Sequence, residues 1–193
     1  MTATEPAPAE LQAFEQLAAR RRTSLLMDPA RSVEPALVER LCHLATWAPN
    51  HKRTWPWRFT SFTGDARLAL GEAFAADQTE AGFTDEAKLV KTRRKYGRAP
   101  VVLVVGSAVG DSPERTGENR DAVAAAIQTL LLGATAAGLA NFWSSAPARH
   151  GRRALAVCGW PDGTDIVGVV YLGWPSGDVE VPERPLTEII RRS

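Results

Sequence analysis

Ala48-Pro49-Asn50-His51-Lys52-Arg53-Thr54-Trp55-Pro56-Trp57-Arg58-Phe59 packs two tryptophans, one histidine and three cations into twelve consecutive positions. Just before this block, Leu37, Leu41, Leu44 and Ala45 fall on one stripe of a helix opened by Ser32 and Pro35, and Ala48-Pro49 should end it. Just after it, Trp57 to Thr63 is rich in aromatics and threonine and reads as a strand. The block is therefore a loop running from a helix into a strand, where binding residues concentrate, and tryptophans beside hydrogen-bond donors suit a planar ring with a polar edge. A well-packed turn, with its tryptophans in the core and His51 capping a backbone carbonyl, fits the same composition.

Working outward, Leu11, Phe14, Leu17 and Ala18 recur at helical spacing from Glu10 to Arg22, predicting an amphipathic helix with a cationic end. Gly64-Asp65 is a turn into a helix over Ala66 to Ala76, and Lys88 to Arg98 is a second helix carrying six cations, stopped by Pro100. Such a basic run is ordinarily a solvated face. Val101 to Gly106 is a continuous β-branched run suited to a central strand covered on both faces. Asn119 to Gly138 predicts the longest helix, Ala140 to Ser144 and Ile166 to Leu172 two strands, and Arg149 to Val157 a short helix between them. Val179 to Ser193 reads as an extended arm ending in a short helical turn. The expected architecture is a single α+β sandwich domain over residues 1–193, helices around a mixed, mainly antiparallel sheet, with a flexible N-terminus over residues 1–10.

At 193 residues, 45% apolar and 23% charged, the chain can bury a full hydrophobic core. A net charge of +1 supplies no field for gripping nucleic acid or an anionic membrane, so any charged ligand must be held locally. Cys42 and Cys158 lack metal-type spacing, and His43, His51 and His150 form no zinc motif; no metal and no disulfide are expected. The apolar stretch from Asp121 to Ala140 is interrupted by Gln128 and Gly133 and reads as a buried helix, not a membrane span. Without a secretory signal pattern, the expected location is the cytoplasm.

Two further clusters carry chemistry. Arg21, Arg22 and Thr23 offer planar guanidinium donors and a hydroxyl suited to a phosphate, although cations also complement a helix C-terminus. Asn141-Phe142-Trp143-Ser144-Ser145 places a tryptophan beside two hydroxyls at a strand end, able to line a pocket or the core.

Taken together, Arg21-Arg22-Thr23-Ser24, the Ala48 to Phe59 block, the Gly138 to Ser145 strand and Val170-Tyr171-Leu172-Gly173 make the chain resemble the small, minimal branch of the nitroreductase-like flavoproteins. The resemblance spans about Leu11 to Gly173, and its most specific element is the pattern Ala-Pro-x-His-Lys-x-x-x-Pro-Trp-x-Phe. It implies a homodimer with FMN at the interface, each flavin touched by both subunits. It assigns Arg21, Arg22 and Thr23 to FMN from one subunit, His51 and Arg53 to the same flavin from the other, Trp143, Ser144 and Ser145 to the flavin ring and its edge, and Arg184 to its phosphate. No residue is assigned as catalytic. NADH or NADPH would serve as electron donor, and nitroaromatics, quinones or similar electron-poor molecules as acceptors in a ping-pong hydride mechanism. Flavin fragmentation, dehalogenation or dehydrogenation on the same fold are the alternatives, followed by a non-catalytic nucleic-acid-binding module. Trp47 stands where close relatives carry arginine and Arg53 where larger ones carry asparagine, so these contacts depart from the pattern.

Overall fold

The computed structural model describes residues 8–181. Six α-helices surround one four-stranded sheet among these residues. The helices are α1 (Ala9–Arg20), α2 (Pro35–Ala45), α3 (Ala66–Glu80), α4 (Glu86–Arg94), α5 (Pro113–Ala136) and α6 (Arg152–Cys158). The strands are β1 (Trp57–Phe62), β2 (Val101–Ser107), β3 (Ala140–Ser144) and β4 (Asp165–Gly173), with 3₁₀ turns at His51–Arg53 and Lys95–Arg98.

The strands lie in the order β1-β2-β4-β3 and every neighbouring pair is antiparallel. A single parallel bridge from Thr23 to Asn141 adds a short extended segment outside β3, which makes the sheet mixed at that edge. Every residue of β2 and β4 is buried, as their continuous apolar runs demand of strands covered on both faces. Alternation along the strands then builds two cores. On one face Leu103, Val105, Val170 and Leu172 meet Leu41 and Ala45 of α2 and Val123, Ile127 and Leu130 of α5. On the other, Val102, Val104 and Tyr171 meet Leu70 and Phe74 of α3, Leu155 of α6, and Tyr96.

Several expected boundaries move, each for a physical reason. Helix α1 stops at Arg20 because Arg21 is already extended (ψ 128°), so Arg21 and Arg22 belong to the strand-like segment beside β3. Helix α5 begins at Pro113, six residues before the expected start, capped by Ser112, whose side chain accepts from the Arg115 amide. Its first turns are polar and carry no apolar stripe, yet Ser112-Pro113 is an ordinary helix-opening pair. The basic helix splits into α4 and a 3₁₀ turn, and α6 begins at Arg152 rather than Arg149. Helix α1 buries none of its own residues; Leu11 and Phe14 of its apolar stripe remain exposed. Most of the expected C-terminal arm, with Arg184, and the first seven positions of the expected flexible N-terminus lie outside the described residues; Ala9 and Glu10 already belong to α1. No described helix is long and apolar enough to cross a membrane.

Candidate functional site

The free edge of β3 gathers one set of candidates. Thr23 bridges Asn141, and the Ser24 amide donates to the Asn141 carbonyl at 2.9 Å. Because backbone groups alternate sides along a strand, Asn141 and Trp143 both turn their N–H and C=O outward, away from β4. The Asn141 carbonyl is taken by Ser24, whereas the outward Trp143 amide remains available on the open edge.

Beside this edge, the Arg21 side chain has no partner among the described residues. Arg22 folds back, its Nη1 donating to the carbonyls of Ala19 and Arg21, and leaves its buried Nε without an acceptor. A concavity of about 630 Å³ adjoins the segment, lined by Arg20, Arg22, Ser24, Asn141, Val179 and Val181. Buried Asn141 anchors the strand to α5, its amide donating to Thr135 Oγ1 at 3.0 Å, while its own Oδ1 has no partner. Trp143 is 39% exposed and lies across Gly168, where any Cβ would collide with the indole. Ser144 closes the strand as a half-buried residue, and Ser145 is exposed.

The His51–Trp55 loop forms the second set, and the tryptophans at 47 and 55 are not core. Trp47 is 85% and Trp55 60% exposed; Trp57 alone of the loop tryptophans packs against the α2/α5 core. Three non-glycine residues here occupy the left-handed region: Lys52 (φ 60°), Arg53 (φ 51°) and Trp55 (φ 49°). For a bulky residue such as tryptophan this conformation is an outlier, and each such residue costs about 1–3 kcal/mol, which surrounding contacts must offset. The contacts are present. Asn50 Nδ2 donates to Thr54 Oγ1 at 3.0 Å and Asn50 Oδ1 accepts from the Trp55 amide at 3.0 Å. Thr54 Oγ1 donates to Asn119 Oδ1, and Asn119 Nδ2 donates to the Ala108 carbonyl at 3.1 Å.

His51 does not cap a backbone carbonyl. Its Nδ1 stands 2.8 Å from Glu118 Oε1 in the second turn of α5, and Arg115 pairs with the other oxygen of that carboxylate. The hydrogen bond from His51 holds the Glu118 carboxyl below the usual carboxylate range, helped by the charges of Arg115 and Lys52. Arg53 has no side-chain partner among the described residues. Asn50, Arg115, Glu118 and Asn119 are absent from the sequence-based candidates, and no local motif marks them, since each acts on a loop distant in sequence or through its own turn.

The two sets do not meet within one chain. Glu118 and Thr135 mark their positions on α5, seventeen residues apart, which is about 25 Å along a helix. A second concavity, about 420 Å³ between α2 and β1, is lined by Val38, Cys42, Phe59 and Leu103 with the hydroxyls of Ser61 and Thr63, and its one charged residue is Glu39, so its lining brings no cation to a phosphate. Among the described residues no cluster of three or more His, Cys, Asp or Glu is placed to hold a metal ion.

Comparison with known proteins agrees with this architecture. The model of the family described as the Nitroreductase family matches residues 18–174. A Bacillus subtilis (strain 168) protein whose name assigns it provisionally as the NAD(P)H nitroreductase YfhC is 27% identical over 168 residues, covering 86% of each chain. Among solved structures, a nitroreductase-like family protein from Bacillus cereus superposes with a TM-score of 0.78 at 24% identity, covering 98% of this chain and 100% of the other. The FMN-dependent nitroreductase NfnB from Mycobacterium smegmatis, solved in complex with NADPH, gives 0.73 at 22% identity over 95% and 99%. At these identities the superpositions speak for the fold.

Proposed function

The chain belongs to the nitroreductase family, and from that premise we propose that it is an FMN-dependent NAD(P)H oxidoreductase working as a homodimer on nitroaromatic, quinone or similar electron-poor acceptors. The observation that carries the reading is the open β3 edge with Arg21, Arg22 and Thr23 alongside it. The residues suit FMN. Among the described residues Arg21 has no side-chain partner and buried Arg22 Nε lacks an acceptor, and the outward Trp143 amide is a backbone donor for a polar ring edge.

When bound, FMN would supply the redox chemistry, hydride transfer from NAD(P)H and onward reduction of the acceptor in a ping-pong cycle. Arg21 and Arg22 hold its phosphate and the electron-rich edge of the ring, Thr23 adds a hydroxyl donor, and the guanidinium charges stabilise negative charge developing nearby. Trp143, Ser144 and Ser145 flank the ring. Arg184 is a further phosphate ligand in this reading.

The separation of the two residue sets supports the dimer in this reading. His51 and Arg53 reach the ligand of the Arg21–Thr23 set when a second copy brings them there. Exposed Trp47 and Trp55 and the uncovered stripe of α1 are the kind of apolar surface that a second copy would bury. The family model and the relative's name support the activity class; the acceptor class and the homodimer are our inference.

The test is to purify the protein, identify any released chromophore against FMN, FAD and riboflavin, and titrate FMN into the parent and Arg21→Ala. One charge-assisted bond to a phosphate is worth about 1.5–3 kcal/mol, so affinity should fall roughly ten- to a hundredfold in the variant. A colourless parent that takes up no added FMN would sink the proposal.

A further inference from the structure

Glu118 has no assigned role, yet it is the group that decides what His51 can do. His51 Nδ1 lies within reach of two side chains, Glu118 Oε1 at 2.8 Å and Arg115 Nη1 at 3.2 Å. These contacts exclude one another. A carboxylate only accepts, so the first requires a proton on Nδ1; a guanidinium only donates, so the second requires a bare nitrogen. The shorter contact goes to an anion, and Arg115 is already engaged with the other oxygen of that carboxylate. Nδ1 is therefore the proton-bearing nitrogen, and Nε2 is left for whatever lies beyond the loop. The loop that carries the ring is held by the bonds of Asn50 to Thr54 and the Trp55 amide and of Thr54 to Asn119, which offset the strain at Lys52, Arg53 and Trp55.

We propose that Glu118 is a positioning residue: it fixes the ring orientation and the Nδ1–H tautomer of His51, so that Nε2 is the nitrogen presented to the flavin held by the second subunit. The last part rests on the proposed FMN-binding role of His51. The charged groups facing the ring are Glu118 and Arg115 from α5, with Lys52 on its own turn acting on Glu118. Arg115 holds the carboxylate rather than the ring. A His-to-carboxylate bond of this kind is the usual way in which one ring nitrogen sets the role of the other.

Two measurements on the full-length holoprotein test this. The first is nitrogen NMR of the histidine ring. The Nδ1–H form is expected in the parent, is lost in Glu118→Ala, and is kept in Glu118→Gln, whose amide oxygen still accepts. A ring spectrum unchanged in Glu118→Ala overturns the proposal whatever His51 touches. The second is FMN affinity, read from flavin fluorescence on dilution, for the parent, His51→Ala, Glu118→Ala and the double variant. The expectation is a loss of about tenfold in His51→Ala, most of that loss in Glu118→Ala, and no further loss in the double variant. Independent, additive losses, or a loss in His51→Ala with none in Glu118→Ala, overturn it. If His51→Ala binds FMN like the parent, the failure belongs to the proposed flavin contact of His51, and the ring spectrum decides the role of Glu118 separately.

Discussion

Removing the Asp77 carboxylate should unfasten α6 and, with it, the loop that leads out of the candidate site. Asp77 sits on α3 with its side chain 4% exposed, yet its bonds are to another helix. Oδ1 accepts from the Arg153 amide at 3.1 Å and Oδ2 from the Ala154 amide at 2.9 Å. These are first-turn donors of α6, whose own N-cap residue, Gly151, has no side chain to offer them. A Cβ at Gly151 would in turn collide with the same carboxylate, so the glycine makes room for a cap delivered from across the chain. In Asp77→Ala both amides lose their acceptor, the Ala154 amide in a buried and the Arg153 amide in a part-buried position, at about 1–3 kcal/mol each. The half-exposed Arg153 pair adds less than about 1 kcal/mol. The sum is about 2–7 kcal/mol, and at about 2–4 °C per kcal/mol for a chain of this length the midpoint should fall by roughly 4–28 °C. Scanning calorimetry on parent, Asp77→Ala and Asp77→Asn checks it, the last keeping one acceptor oxygen and about half of the stability. A fall of less than about 3 °C in Asp77→Ala would show that α6 needs no cap from α3.

Two other outcomes follow from buried titrating groups. Burial works against ionisation of Asp165, but the paired hydrogen bonds from Arg149 and the charges of Arg149, Arg120 and His150 outweigh it and hold the carboxyl below the usual aspartate range. A lowered folded value stabilises the fold above the ordinary value and loses that contribution as pH falls through the folded one. The gap in urea midpoint between parent and Asp165→Asn should therefore be full at neutral pH and narrow on acidification below about pH 4; a constant gap would contradict the assignment. Burial, with Glu39 nearby, pushes the Cys42 thiol up to about 11, and burial alone pushes Cys158 up to about 12. Neither is a thiolate at neutral pH, so iodoacetamide should label the folded protein far more slowly than the denatured one, and rapid labelling of either residue would refute this.

The parts of the fold that the sequence declares are those set by local chemistry. The buried runs of β2 and β4, the Pro35 helix start and the Pro100 stop act within a few residues, and the strand cores were legible for that reason. Arg21 and Arg22 looked helical because composition continues the α1 pattern; what ends the helix is a backbone bridge to Asn141, more than a hundred positions away. Likewise Glu118 is 67 positions from His51, and nothing in either neighbourhood announces the other. Whether Trp47 and Trp55 fill a core or face outward depends on loop backbone, not on composition. The candidate loop itself was conspicuous, because tryptophan, histidine and cations seldom crowd together.

The placing of the two residue sets at opposite ends of α5 has a genetic reading. In a two-fold homodimer each site would draw one set from each chain, so a chain damaged at Arg21 and a chain damaged at His51 are not equivalent losses. A mixed dimer of the two would concentrate both lesions in one site and leave the other whole. Two inactive alleles expressed together would restore up to half of the activity per mixed dimer, whereas two lesions within the same set would not complement at all.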